Sequence, residues 1–221
     1  MKPGPKLPQH CRQQADQQAN HQPKDAIAPV TGTTPKRIIV GISGASGIIY
    51  GIRALEFLKR LGFETHLVMS KAAEMTLTYE TDHKAKDVRE LASQFHPIGD
   101  IGASISSGSF PTLGMLIAPC SIRTMSEIAT GITGTLLSRA ADVVLKERRR
   151  LVLGIRETPL HTGHLRTMTQ LSEMGAVICP VVPAFYNRPQ TLDDIVNHSV
   201  GRMLDLFGID TGLVKRWKTD E

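Results

Sequence analysis

The chain has 221 residues, 41% of them apolar and 21% charged, which excludes a wholly disordered chain or a coiled coil and points to one folded unit. No apolar run approaches the ~18 residues of a membrane span, and the first 35 residues hold no apolar block of the signal-peptide kind, so a soluble, cytoplasmic protein with no membrane partner is expected. Of the net charge of +5, residues 1–36 carry five Lys/Arg against two Asp and the remainder 21 against 19, so the folded part is close to neutral and no nucleic-acid partner is expected.

Residues 1–35 contain six Pro, six Gln and no aromatic residue. Such a segment cannot bury enough apolar area to offset its ordering entropy, and it is read as a disordered extension preceding a domain over 36–221. From Lys36 the texture becomes RIIVGISGASG, an apolar run stopping in glycines. Ile48, Ile52, Leu55 and Leu58 follow at helical spacing, giving strand, turn and helix. The alternation continues with a strand over 63–69, a helix from Lys71, a helix near 84–95, a strand over 113–119 and a helix from Ser121. Then come a helix over 136–147, a strand over 151–155, a helix over 163–174, a strand over 176–180 and a helix over 191–207. Short continuous apolar strands alternating with amphipathic helices predict a three-layer α/β fold with a doubly wound parallel sheet.

In such sheets ligands bind beyond the carboxyl ends of the strands, so the residues that follow each apolar run matter most. After the first strand, Gly41, Gly44 and Gly47 do not have dinucleotide spacing. Gly44-Ala45-Ser46-Gly47 still offers backbone N–H groups and a hydroxyl to a phosphate, or else merely allows close packing of strand against helix. Ser70 and Ser121 open the next helices as N-caps or as ligand contacts. Arg139 and Lys146 lie seven residues apart, about 20° from one another around a helix, as two cations facing a phosphate or as part of a solvated face. Arg156-Glu157 sets a cation and a carboxylate directly after a strand. Glu80 is a helix-surface acid or a site carboxylate. The run Lys146–Arg150 (KERRR) reads as a solvated helix end. Cys11, Cys120 and Cys179 are too scattered for a disulfide framework or a zinc site, and the eight histidines show no metal spacing.

GASG at 44–47, SKAA at 70–73, ETD at 80–82, SSGSF at 106–110, APCS at 118–121, RAADVVLKERR at 139–149, RETPL at 156–160 and PAFY at 183–186 together resemble the UbiX-type flavin prenyltransferases over about residues 37–217. The resemblance implies a flavodoxin-like Rossmann fold, FMN as prenyl acceptor and dimethylallyl monophosphate as donor. It also implies attachment at flavin N5 followed by ring closure at C6, delivery of prenylated FMN to a UbiD-type decarboxylase, and a homododecamer with sites at subunit boundaries. By the same resemblance Gly44, Ala45, Ser46, Gly47, Ser70, Ser121 and Arg156 would bind the flavin. Glu157, Lys146, Arg139, Glu80 and Tyr186 would be catalytic, and Lys146, Arg139, Tyr186, Arg202 and Trp217 would bind the prenyl phosphate. The chain has no DDxxD motif, only Asp193-Asp194, so metal-independent chemistry is expected. The long N-terminal extension and Arg166, where many members carry an acid, depart from the pattern. Two other readings of the same fold are an FMN-dependent cysteine decarboxylase, which would carry a PAMN-type motif where this chain has PAFY, and a catalytically silent flavin carrier.

Overall fold

The computed structural model describes residues 36–214 and Arg216; the expected disordered extension over 1–35 and Trp217 lie outside the described residues. The elements in order are β1 (Arg37–Ile42), α1 (Ile48–Arg60), β2 (Glu64–Met69), α2 (Lys71–Glu80), α3 (Ala85–Leu91) and β3 (Gln94–His96). A single 3₁₀ turn (Ser104–Ser106) precedes β4 (Gly114–Cys120), α4 (Ile122–Ala129), α5 (Leu136–Lys146), β5 (Arg150–Ile155), α6 (Thr162–Glu173), β6 (Val177–Ile178) and α7 (Leu192–Asp205). The six strands form one sheet in the order β3-β2-β1-β4-β5-β6, with every pairing parallel. This is the expected doubly wound architecture, and the order reverses between β1 and β4, where the carboxyl ends of the strands open a crevice.

The strands form because their residues can be buried on both faces. All seven residues of β4 are buried, as are Ile38–Ile42 of β1. Ile38, Val40 and Ile42 face a layer containing Ile48, Ile52, Leu55 and Leu58 of α1 and Val200, Met203 and Leu204 of α7. Ile39, Met115, Ile117 and Leu153 face the opposite layer, built from Met125 of α4, Leu137, Ala140 and Val144 of α5, and Leu171 of α6. The four apolar residues of α1 are each 0% exposed, and each contributes about 1.5–3 kcal/mol of burial.

Two expectations change. The predicted helix near 84–95 ends at Leu91, and Gln94–His96 forms the edge strand β3, paired His66↔Gln94, Leu67↔Phe95 and Val68↔His96. Reciprocal bonds of 3.0 Å, from Thr65 N–H to Ser93 Oγ and from Ser93 N–H to Thr65 Oγ1, turn the chain onto the sheet edge. Pro97 disfavours helical backbone at the residue before it. The predicted strand over 176–180 contracts to Val177–Ile178, because Pro180 has no N–H to give. Bonds from Cys179 N–H to Leu153 O (2.9 Å) and from Val181 N–H to Ile155 O (3.0 Å) still hold the chain alongside β5.

A polar chain with two buried imidazoles runs from β1 across β2 to β3. His66 and His96 are 2% and 3% exposed, with His66 Nδ1 2.9 Å from His96 Nε2 and His66 Nε2 2.9 Å from Glu64 Oε1. Arg37 donates to Glu64 Oε2 at 2.8 Å. Burial first, and then the neighbouring His66, push the His96 imidazole below its ordinary range. The bonds from Arg37 and His66 hold the Glu64 carboxyl low. Unfolding releases His96 to protonate near 6.5 and Glu64 to protonate near 4.3, so acid adds protons to the unfolded chain that the folded one refuses. Thermal unfolding midpoints are therefore expected to be flat from pH 8 to 7 and to fall as pH drops below about 6.5. The fall should be shallower in His96→Phe, and an equal slope in the two proteins would remove His96 as the cause.

Candidate functional site

The carboxyl edge at the reversal point is organised by Ser43, which is 0% exposed. Its hydroxyl donates to Pro119 O at 3.0 Å and accepts from Ser121 N–H at 2.7 Å, joining the turn after β1 to the end of β4. The sequence reading passed over it; the available signal was a hydroxyl between a buried strand and a glycine turn. The turn then presses against the start of α2, since a Cβ on Gly44 would lie 2.3 Å from Ala72 Cβ.

Ser70 and Ser121 are N-caps: Ser70 Oγ accepts from Ala73 N–H (3.0 Å) and Ser121 Oγ from Thr124 N–H (3.3 Å). Both also line a cavity of about 450 Å³, together with Gly44, Lys71, Thr135, Leu137 and Glu157. Capping and a ligand-facing position are thus compatible for these two residues. Glu157 is exposed, and its Oε1 accepts from Thr158 N–H at 3.0 Å.

Arg156 is anchored through its N–H to Cys120 O at 3.2 Å and lines a second cavity of about 750 Å³ with Ser46, Gly47, Tyr50 and Glu80. Glu80 resolves one alternative left by the sequence. Its Oε2 accepts from Gly47 N–H (2.8 Å) and Ile48 N–H (3.0 Å). Gly47, at φ +96°, begins α1 without a side-chain cap, so a carboxylate from the end of α2 meets the positive end of α1. The Gly47 N–H, one of those the sequence offered to a phosphate, thus has a protein partner. Tyr50, also missed in the sequence, sits here: burial pushes its phenol up and the Arg156 charge pulls it partly back. Ala45 closes the turn, donating its N–H to Ser43 O at 2.9 Å.

Tyr186 and Arg202 meet at a third cavity of about 220 Å³, which Cys179 and His198 also line. Arg139 and Lys146 line none of these cavities. Arg139 pairs with Asp142 at 2.9 Å and Lys146 with its neighbour Glu147. The Lys146 cation holds the Glu147 carboxyl low. Because α5 runs from the carboxyl edge back toward the start of β5, Lys146 lies about 13 Å along the axis from Leu137, on the 450 Å³ cavity. Within one chain the structure brings Glu157 together with Ser70 and Ser121 and leaves Lys146 apart from them, while Arg139 follows Leu137 of the cavity wall by two residues. Among the described residues, no group of three or more His, Cys, Asp or Glu could hold a metal ion, and no helix is long and apolar enough to cross a membrane.

A family model described as Flavoprotein matches residues 28–204. A flavin prenyltransferase UbiX of Thauera aromatica is 60% identical over 185 residues, covering 84% of this chain and 95% of the relative. The chain belongs to the UbiX flavin prenyltransferase family. A UbiX structure, AnUbiX (PadA1) in complex with FMN and dimethylallyl pyrophosphate, superimposes with a TM-score of 0.83 at 52% identity, covering 85% of this chain and 100% of that one. A dodecameric FMN-dependent UbiX-like decarboxylase from Escherichia coli O157:H7 follows at a TM-score of 0.81 and 50% identity, covering 82% and 99%. The likeness to UbiX thus extends over nearly the whole length of the described fold.

Proposed function

We propose that this chain transfers a dimethylallyl group from dimethylallyl monophosphate to reduced FMN, making prenylated FMN for a UbiD-type decarboxylase. The observation that carries the reading is the 450 Å³ cavity at the sheet's reversal point, in a chain 60% identical to the Thauera aromatica UbiX over 185 residues. The cavity falls in the size range of small-molecule sites. Its wall offers the hydroxyls of Ser70 and Ser121 beside the opened glycine turn, with the Glu157 carboxylate on the same wall. Gly44, Ser70 and Ser121 on this wall, with Ala45, Ser46, Gly47 and Arg156 toward the neighbouring 750 Å³ cavity, are the flavin contacts of this reading.

Reduced FMN supplies the nucleophilic nitrogen and, later, the ring carbon that accept the five-carbon unit. The protein's part is electrostatic and protonic. Breaking the allylic C–O bond leaves the electron pair on the phosphate, and the fixed cations Arg139, Lys146 and Arg202 oppose that growing charge without a metal. Tyr186 orients the phosphate, and Trp217 would close the same subsite. Glu157 is the group placed to hold or move a proton at the leaving phosphate and at the flavin carbon; Glu80 keeps the α1 terminus in place beside it.

Since Lys146 stands apart from Glu157 within one chain, a second copy supplies it. The assembly is a homo-oligomer, as a dodecamer of the kind named for the Escherichia coli relative, working in the cytoplasm. Residues 36–221 are the catalytic domain and 1–35 an extension dispensable for the chemistry.

The test is anaerobic incubation of the protein with reduced FMN and dimethylallyl phosphate, followed by mass spectrometry of the released flavin. A gain of one C5 unit is expected. An unchanged flavin mass overturns the reading, as does carbon dioxide release from a cysteine peptide without that gain.

A further inference from the structure

His198 has no part in the reading above, yet it is a 5% exposed imidazole in the middle of α7. A buried imidazole is costly unless hydrogen-bonded. Its Nε2 lies 3.0 Å from the Tyr186 hydroxyl, and the two rings meet edge to face with centroids 5.5 Å apart. Tyr186 needs such a hold. It lies on the segment between β6 and α7, which has no helix or strand, and its neighbours Val182 and Phe185 are 72% and 69% exposed, so their side chains do not anchor the segment. The Tyr186 ring is itself 47% exposed.

His198 also precedes Arg202 by four residues, which puts both on one face of α7. Both, with Tyr186, line the 220 Å³ cavity. A tyrosine hydroxyl has one donor and two acceptor positions, so a bond to an imidazole on a rigid helix fixes where the remaining ones point. We propose that His198 is a positioning residue: it holds the Tyr186 hydroxyl at a set place beside the Arg202 guanidinium, so that the two meet a prenyl phosphate together. This rests on the reading that Tyr186 and Arg202 contact that phosphate. The gain is preorganisation, because the hydroxyl's place is set before the donor arrives.

The test uses the full chain, loaded with oxidised FMN so that no turnover occurs, and calorimetric Kd values for dimethylallyl monophosphate. KM at saturating reduced FMN is measured in parallel. His198→Leu is expected to weaken Kd and raise KM about tenfold, as for loss of one organising hydrogen bond, with kcat changed less. His198→Gln, whose amide nitrogen can stand where Nε2 stands, should recover most of that loss. In a Tyr186→Phe background, which has no hydroxyl to hold, His198→Leu should change Kd by less than about twofold. An equal tenfold loss in that background would show that His198 acts by packing and overturn the proposal, as would failure of Gln to recover. Should His198→Leu not fold, His198→Asn takes its place in the cycle, too short to reach Tyr186. Wild-type Kd in Tyr186→Phe itself would instead overturn the underlying reading of Tyr186, and this proposal with it.

Discussion

Glu157→Gln is expected to slow anaerobic single-turnover formation of prenylated flavin by roughly 10²-fold or more, the usual range for loss of a general acid or base, while FMN uptake survives. Glu157 follows β5 on the wall of the 450 Å³ cavity, and its Oε1 accepts from Thr158 N–H at 3.0 Å. A glutamine preserves the size of the side chain and an oxygen for that bond, so the local backbone has no reason to move. What is lost is the exchangeable proton. Absorbance at saturating dimethylallyl phosphate reads the rate. Near wild-type rates would remove Glu157 from the chemistry and turn attention to Glu80; loss of FMN would make the role of Glu157 structural.

Mixing two inactive variants should restore activity. On the proposed reading Lys146→Ala removes a cation opposing the charge on the departing phosphate and, like Glu157→Gln, is expected to be nearly inactive. Lys146 lies outside the cavity that holds Glu157. If each working site takes Glu157 from one copy and Lys146 from the next, a randomly reassembled equal mixture has both intact residues at roughly a quarter of its sites, as a head-to-tail interface requires. The measurement is activity after dissociation and joint reassembly, against each variant treated alone. A mixture no more active than the average of its parents would place both residues in the same copy's site.

The fold was legible where burial is written directly into residue type. The continuous apolar strands and the Ile48, Ile52, Leu55, Leu58 stripe of α1 needed no tertiary information, because both patterns follow from backbone period alone. The edge strand Gln94–His96 was not legible: it depends on the reciprocal Ser93–Thr65 bonds, which join residues distant in sequence. The same division runs through the site. The strand-end positions of Ser70, Ser121, Arg156 and Glu157 followed from topology. The partners of Ser43 and Glu80 did not, since each bridges segments far apart along the chain. His198 was hidden by its place in an ordinary amphipathic helix, where a single histidine carries no signal of the tyrosine it meets.

The bond from the end of α2 to the start of α1 has a consequence for the order of assembly. Glu80 is 33 residues from the N–H of Gly47 that it receives, and α1, β2 and the rest of α2 lie between them. A nascent chain that has made only β1, the glycine turn and α1 therefore lacks the carboxylate that receives the N–H groups at the α1 terminus, and Gly47 has no side chain of its own to cap them. The α1 terminus gains its carboxylate only once the second strand–helix unit has docked, and the turn gains its Ser43 bonds only once β4 has. Completion of the crevice thereby reports that the neighbouring unit of the sheet is in place.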